Sequence, residues 1–534
     1  MFSLMRVVAS VAFLNALLTL HNIWPTPWVK VVPELSVELF AALLAMALLL
    51  EMKIRAGRMM VVALTVIFIV LAVGRYADVT APALFGRPIN LYWDVRHIPN
   101  VAAMLVESAA IWRVVATIVA GLVFVGVFVG IVVFALKTIV VGFQSTGMRR
   151  VSALGCVVFI VIYSVGMTRD DVHTEGWFAI PVAPVYARQA AFLIKAGRPT
   201  DASGVTPTTT SDMARVKGRD VFLIFFESYG ATAFDTPRFA NGLAQERAAL
   251  DTMIEATGWN VASVMVESPT YGGASWLAHS SVLSGRWLAN QGDYKLFLTH
   301  PSETLVDRFR ALGHRTIALA PGIKRPWPEG SAYGFDAILD AKALDYGGPA
   351  FGWWAIPDQF SLARFLEREV GPNRDKPVFV FFPTIMSHMP FGPTPPYQPD
   401  WAQLTKPDPF AGTDLAEALT NLPDYGDLPA AYIRTIRYNY RLLRGFLGSH
   451  APEDALIIVV GDHQPSAIIS GKEASWNAPV HIFTRDAEML NSFMKSGFTS
   501  GFDPRGAMFG RMHLLHEAML EAMDSKNARG LAQR

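Results

Sequence analysis

The chain has 534 residues, 52% of them hydrophobic and 17% charged, with a formal net charge of +1. That balance is too apolar for an ordinary soluble enzyme and too neutral for a nucleic-acid partner. The single cysteine, Cys156, excludes an intrachain disulfide framework and a CxxC metal site.

The first third reads as five transmembrane helices, at Val7–Trp24, Leu35–Leu50, Met59–Val73, Val114–Leu136 and Val151–Met167. The fourth is uncharged and long enough to cross a hydrocarbon core of about 30 Å. The first lacks a small-residue cleavage site and is followed by further spans, so it is expected to stay in place as a helix. Lys53, Arg55 and Arg58 separate spans two and three, and Lys137, Arg149 and Arg150 separate spans four and five. The positive-inside rule makes these short loops cytoplasmic and puts everything beyond Met167 outside. The loop from Tyr76 to Trp112, with Trp93, Asp94, Arg96 and His97, is then external. It is expected to be a surface loop carrying an aromatic belt residue, with an interfacial helix that packs on the external domain or touches substrate as the alternative.

A segment of helical apolar spacing follows, Val182–Gly197, suited to the membrane surface. RPTDASGVTPTTTSD then reads as a linker. The expected domains are 1–167, membrane-embedded; 168–215, juxtamembrane helix and linker; and 216–534, soluble. In this last part, strand and helix patterns alternate. Val221–Phe226, Trp259–Val266, Arg315–Ala320, Pro377–Ile385 and Ala455–Val460 read as strands, with a weaker one at PVHIF. Helices are expected at Asn241–Ile254, Ser302–Leu312, Phe360–Val370 and Ala430–Gly448. Such alternation predicts an α/β domain with a mostly parallel sheet covered on both faces.

The polar residues are read against those strands. Glu227 follows the first strand. Ser275 follows the second, in PTYGGASWLAHSSVLSG, where Gly272 and Gly273 permit a tight turn into a helix. His388 lies beyond the Pro377–Ile385 strand, and Asp462 and His463 lie beyond Ala455–Val460. Open α/β sheets place ligands at the carboxyl ends of their parallel strands, which brings all five together. For Ser275 alone, an ordinary N-cap is the competing role. Two carboxylates, an imidazole and a hydroxyl make a hard, oxygen-rich donor set that suits Mn²⁺, Mg²⁺ or Zn²⁺. A metal on the serine oxygen would make it a nucleophile.

Glu227 after an apolar strand, Ser275 after paired glycines and Asp462-His463 after a strand-end glycine together resemble the alkaline phosphatase/sulfatase superfamily. The layout resembles its membrane-anchored branch, the lipoteichoic acid synthases, phosphoglycerol transferases and phosphoethanolamine transferases. The resemblance implies a sulfatase-like α/β fold and one divalent metal, Mn²⁺ or Zn²⁺ with Mg²⁺ also admitted, held by Glu227, Ser275, Asp462 and His463. It implies Ser275 as the nucleophile and His388 as the histidine that contacts the transferred phosphate or leaving group. The donor would be a membrane phospholipid, the acceptor a glycan or lipid, and the enzyme a multi-pass protein of the cell membrane. Lys324, Arg325 and Trp327 in PGIKRPWPEG fall in the substrate-pocket segment. Three features differ from the family: Ser275 stands where Thr is common, Glu329 where the lipoteichoic acid synthases carry arginine, and Gln464-Pro465 where phosphoethanolamine transferases carry Gly-Glu. A formylglycine sulfatase site would need a C/S-x-P-x-R context, and a serine-hydrolase elbow a G-x-S-x-G; neither surrounds Ser275. A phosphodiesterase or phosphatase of the same fold and a non-catalytic membrane-tethered binding module are the alternatives.

Overall fold

A computed structural model describes residues 2–54, 57–85, 87–95, 111–169, 176–196 and 210–525, except 301, 372, 373 and 507, together with the isolated positions 98, 99, 102, 103, 106 and 174. The chain divides into two compact units, Met1–Pro199 and Thr200–Arg534.

Helices of the first unit stand at all five expected spans. They are α1 (Phe2–Leu18), α2 (Val37–Glu51), α3 (Arg58–Phe85), α4 (Ile111–Gly142) and α5 (Thr146–Thr168). Among the described residues, three helices, α3, α4 and α5, are long and apolar enough to cross a membrane, not the five expected. α1 is cut short because Thr19 leads into a small hairpin, Leu20–Asn22 with Val29–Val31, whose connection contains the helix-breaking prolines Pro25 and Pro27. α2 starts where Ser36 caps the Leu39 N–H, and its 15 residues span only about 22 Å. α3 corrects the reading of the external loop, since it runs through Gly74 and Arg75 to Phe85. Arg75 is tolerated there because its guanidinium donates to the carbonyls of Leu20 and Ile180, at 2.8 and 3.2 Å. Asp94 ends a one-turn helix and pairs with Arg87 at 2.8 Å. Arg96, His97 and most of the linker lie outside the described residues.

The core of this unit lies where Leu43 and Met46 meet Phe68, Val132 and Ile139. Outward-facing side chains of α4 such as Leu122 and Phe124 are apolar and exposed, as on a lipid-facing surface. At one end of the bundle, Glu51 takes hydrogen bonds from Arg149 (2.8 Å) and Arg150 (2.6 Å), so the basic start of α5 meets the C-terminus of α2. The connector forms α6 (Ala183–Ala196), tied to the bundle by Tyr186 Oη donating to the Val70 carbonyl and Gln189 to that of Ile89.

Among the described residues, the second unit is built on a nine-stranded sheet. Its strands are β1 (Val221–Phe226), β2 (Asn260–Glu267), β3 (Arg315–Ala320), β4 (Ala337–Asp340), β5 (Val378–Pro383), β6 (Leu456–Gly461), β7 (Asn477–Thr484), β8 (Thr499–Ser500) and β9 (Met508–Arg511). The order is β8-β2-β7-β6-β1-β5-β3-β4, with β9 also on β2. β6, β1, β5, β3 and β4 are mutually parallel. β7 runs against both β6 and β2, which returns β2 to the direction of the parallel set. The C-terminal ends of β1, β2, β5 and β6 therefore share one edge. VFLIFF in β1 is buried at every position because helices cover both faces, as its continuous apolar run predicts. One face packs against α7 (Pro237–Thr257), α9 (Asp358–Glu369) and α10 (Leu428–Ser449). The other packs against α8 (Ser275–Ser284) and the helices Ala487–Lys495 and Leu515–Met523.

Candidate active site

The end of β1 is held rigidly. The Glu227 N–H donates to Thr384 Oγ1 at 3.1 Å, and Ser387 Oγ donates to the Glu227 carbonyl at 2.6 Å. Ser228 adopts φ 55°, a left-handed conformation uncommon outside glycine. This turn aims its N–H at Asp462 Oδ1 (2.8 Å), and its hydroxyl donates to Glu227 Oε1 (2.8 Å). Asp462 Oδ1 also accepts the His463 N–H at 2.7 Å. β6 ends on Gly461, where any Cβ would overlap the Tyr229 carbonyl oxygen. The close approach of the two strand ends thus requires that glycine.

Beyond β2 the chain turns through Gly272, Gly273 and Ala274 at φ 65°, 143° and 61°. Ala274 is the N-cap of α8 and supplies no side-chain cap, so Ser275 is the first helical residue. This removes the N-cap role considered for Ser275. Its hydroxyl lies 3.0 Å from Glu227 Oε2 and 3.0 Å from His463 Nε2, at the positive end of the helix.

The hydrogen bonds fix the state of His463. Its Nδ1 lies 2.7 Å from the Gln464 carbonyl, which can only accept, so the ring proton sits there and Nε2 presents a lone pair. Burial keeps the ring neutral by lowering its pKa. Two acceptors, Glu227 Oε2 and His463 Nε2, therefore face the one proton of Ser275. Asp462 Oδ2 is buried with no hydrogen-bond partner among the described residues and lies 3.4 Å from His463 Nε2. Burial raises the Glu227 carboxyl, but the nearby His388 and the hydrogen bond from Ser228 outweigh it and bring it down to about 2. Asp462, buried and facing the charge of Glu227, is held well above the usual carboxylate range. Glu227, Asp462 and His463 offer ligand atoms that all lie within 4.8 Å of one another. Lone pairs converge here with too few protons to satisfy them, which is the environment a cation fits.

A cavity of about 310 Å³ opens beside Ser275. His388 lines it, with Nδ1 donating to the Met389 carbonyl at 2.8 Å and its ring 4.5 Å from that of Trp354. Asp358, at the start of α9, accepts the N–H groups of Ile385 and Met386 at 2.9 Å each and so anchors the His388 loop. Trp327 lines the cavity, whereas Lys324 and Arg325 are exposed and do not. Lys324 lies over the Trp353 ring at 4.0 Å and donates to the Trp353 carbonyl. Sequence reasoning did not single out His279, one helical turn after Ser275. It lines the same cavity and packs edge-on against Phe225, and burial lowers its pKa to about 3. A lone histidine among apolar residues carried no signal that would have found it. Thr384 and Ser387, in PTIMSH, escaped for the same reason.

Residues 219–482 match the Sulfatase family model, and this range contains Glu227, Ser275, His388, Asp462 and His463. No curated protein matches the sequence. Similar solved structures include the phosphoglycerol transferase GacH of Streptococcus pyogenes, 13% identical over 64% of this chain and 80% of that one, with a TM-score of 0.39. The periplasmic domain of the phosphoethanolamine transferase EptC of Campylobacter jejuni is 13% identical over 57% of this chain and 88% of its own, with a TM-score of 0.35. The lipoteichoic acid synthase LtaP of Listeria monocytogenes is 12% identical over 53% and 69%, with a TM-score of 0.33. The second unit of this chain therefore carries a Sulfatase-family domain over residues 219–482.

Proposed function

We propose that the chain transfers a phosphate-linked head group from a membrane phospholipid to a glycan or lipid acceptor outside the cytoplasm, with Ser275 as nucleophile. The observation that carries this reading is the Ser275 hydroxyl, held at a helix N-terminus between the Glu227 carboxylate and the His463 lone pair. Membrane-length helices in the same chain support a lipid as donor. Glu227, Asp462, His463 and the Ser275 oxygen would hold one divalent metal, Mn²⁺, Zn²⁺ or Mg²⁺ by the chemistry of that donor set. When bound, such an ion supplies positive charge that lowers the pKa of the serine hydroxyl.

Ser275 Oγ, its proton released to water, attacks phosphorus as the alkoxide, and the P–O bond to the lipid alcohol breaks. Unpaired N–H groups in the first turn of α8 face the charge that develops on the phosphoryl oxygens. His388 gives a proton to the departing alkoxide through Nε2, since Nδ1 is engaged by the Met389 carbonyl. An acceptor hydroxyl then attacks the phosphoserine, returning its proton to His388 and freeing Ser275. Trp327 and Trp354 shape the apolar side of the cavity around the head group. Residues 216–534 form the catalytic domain in this reading, on the periplasmic or extracellular side. The gathering of Arg149 and Arg150 with Glu51 at one end of the bundle supports the orientation.

The test is incubation of the purified chain, loaded with Mn²⁺ or Zn²⁺, with a panel of head-group-labelled phospholipids. Release of one diacylglycerol-type alcohol, with the label moving to an acceptor, is expected. Release of the free labelled head group into water at the same rate with or without acceptor would make the chain a hydrolase.

A further inference from the structure

A second cavity, of about 730 Å³, shares no lining residue with the one beside Ser275. One wall is a row of arginines on α10. Arg434, Arg437, Arg441 and Arg444 follow one another at intervals of three and four residues, so they share a helix face. Their Cα atoms extend over about 15 Å. The opposite face of α10 is buried through Tyr432, Ile436, Tyr440, Leu443 and Phe446, so the arginine row cannot turn away from the cleft.

Intramolecular contacts use few of the guanidinium donors. Arg437 Nε donates to the Gly242 carbonyl at 2.8 Å. Arg441 pairs with Glu246 at 2.7 Å, and Arg444 lies 3.6 Å from the same carboxylate. Arg434 is half-buried and has no hydrogen-bond or ion-pair partner among the described residues. Each guanidinium has five N–H donors in a planar fork, a match for phosphate oxygens. The other wall differs in kind. Asp414, Glu417 and Asn421 lie along the helix Leu415–Thr420 and its ends, and make no ion pair with the arginines among the described residues. Carboxylate and amide oxygens arranged this way accept hydrogen bonds from hydroxyl groups. Thr394, also on the lining, has an Oγ1 that is buried with no partner among the described residues.

We infer that this cleft binds a phosphate-bearing polyol or sugar, with its phosphates on the arginine row and its hydroxyls on the Asp414–Glu417–Asn421 wall. A simple solvated charge row would need no concave site and no unsatisfied hydroxyl beside it. The inference is independent of the chemistry assigned to Ser275.

The experiment is calorimetric titration of the full chain in neutral detergent with glucose 1,6-bisphosphate, glucose 6-phosphate, inorganic phosphate and glucose. The bisphosphate is expected to bind about tenfold more tightly than the monophosphate, and glucose not to bind. Arg434→Gln is expected to weaken the bisphosphate about tenfold, Arg434→Lys by less, and Ser275→Ala not at all. Should Arg434→Gln melt below the parent, Arg444→Gln carries the same expectation. Equal affinity for inorganic phosphate and the bisphosphate would overturn the proposal. So would full binding in both glutamine variants, or loss of binding in Ser275→Ala.

Discussion

The two sides of the Ser275 site are built differently. Glu227, Asp462 and His463 are buried at strand ends and locked by backbone hydrogen bonds, a left-handed Ser228 and a glycine that admits no side chain. His388, Trp327 and Trp354 sit on longer connections, are only partly buried, and are held mostly by ring contacts and by the Asp358 anchor. Groups that must keep sub-ångström relations are carried by the sheet, while groups that meet a variable head group are carried by loops. On the account above, damage to the first side removes the reaction, and damage to the second retunes it.

The largest effect is expected from Asp462→Asn and His463→Ala. Each removes a ligand atom from a cluster whose members lie within 4.8 Å. Turnover should fall by at least about 10³-fold and metal content by elemental analysis should drop, while the circular dichroism spectrum is kept. Unchanged metal content in both variants would show that the buried side is not a metal site.

His388→Ala tests the other side. Loss of the proton donor should lower kcat by about 10²–10⁴-fold for a lipid with a poor leaving group, and far less for a p-nitrophenyl phosphodiester, whose leaving group needs no proton. An equal loss on both substrates would take away that role.

A buried histidine away from the cluster sharpens the contrast by pH. His481 on β7 is fully buried, 2.7 Å from Ser263 Oγ and 3.1 Å from Tyr229 Oη, and burial lowers its pKa to about 3. The unfolded ring titrates near 6.5, so acid is taken up by the unfolded chain first. Its contribution to stability is complete above pH 6.5 and is lost as pH falls towards 3, at about 1.4 kcal/mol per pH unit. His481→Gln should flatten the pH dependence of the denaturant midpoint between pH 6 and 4 by about one proton. An unaltered slope would contradict the assignment.

The smallest effect is expected from Trp327→Ala. Loss of one ring from the cavity wall should raise KM about tenfold with kcat held within a few-fold, and change the ranking among head groups. A kcat collapse with unchanged KM would place Trp327 with the chemistry instead of the fit.

Much of the second unit was legible because buried strands announce themselves. Val221–Phe226 and Arg315–Ala320 coincide with β1 and β3, and the other predicted strands lie within a few residues of β2, β5 and β6. The direction of β7 was not legible, since a continuous apolar run is the same read in either sense. β4, β8 and β9 are too short and too exposed to stand out. In the first unit the continuation of α3 through Arg75 was hidden, because the carbonyls that satisfy it belong to Leu20 and Ile180, far off in sequence. The strand-end residues could be grouped from sequence because parallel strands bring their carboxyl ends to one edge. Lys324 and Arg325 could not be placed, because a loop without periodicity does not say which side chains turn inward.

The central claim is that the Ser275 oxygen becomes covalently bound to phosphorus. The most direct measurement is the intact mass of the full metal-loaded chain after mixing with donor phospholipid and no acceptor, followed by peptide mapping. The account predicts a phosphoryl-linked adduct on the peptide containing Ser275, absent in Ser275→Ala and reduced but present in Ser275→Thr. No adduct in the parent chain, together with full turnover in Ser275→Ala, would contradict it.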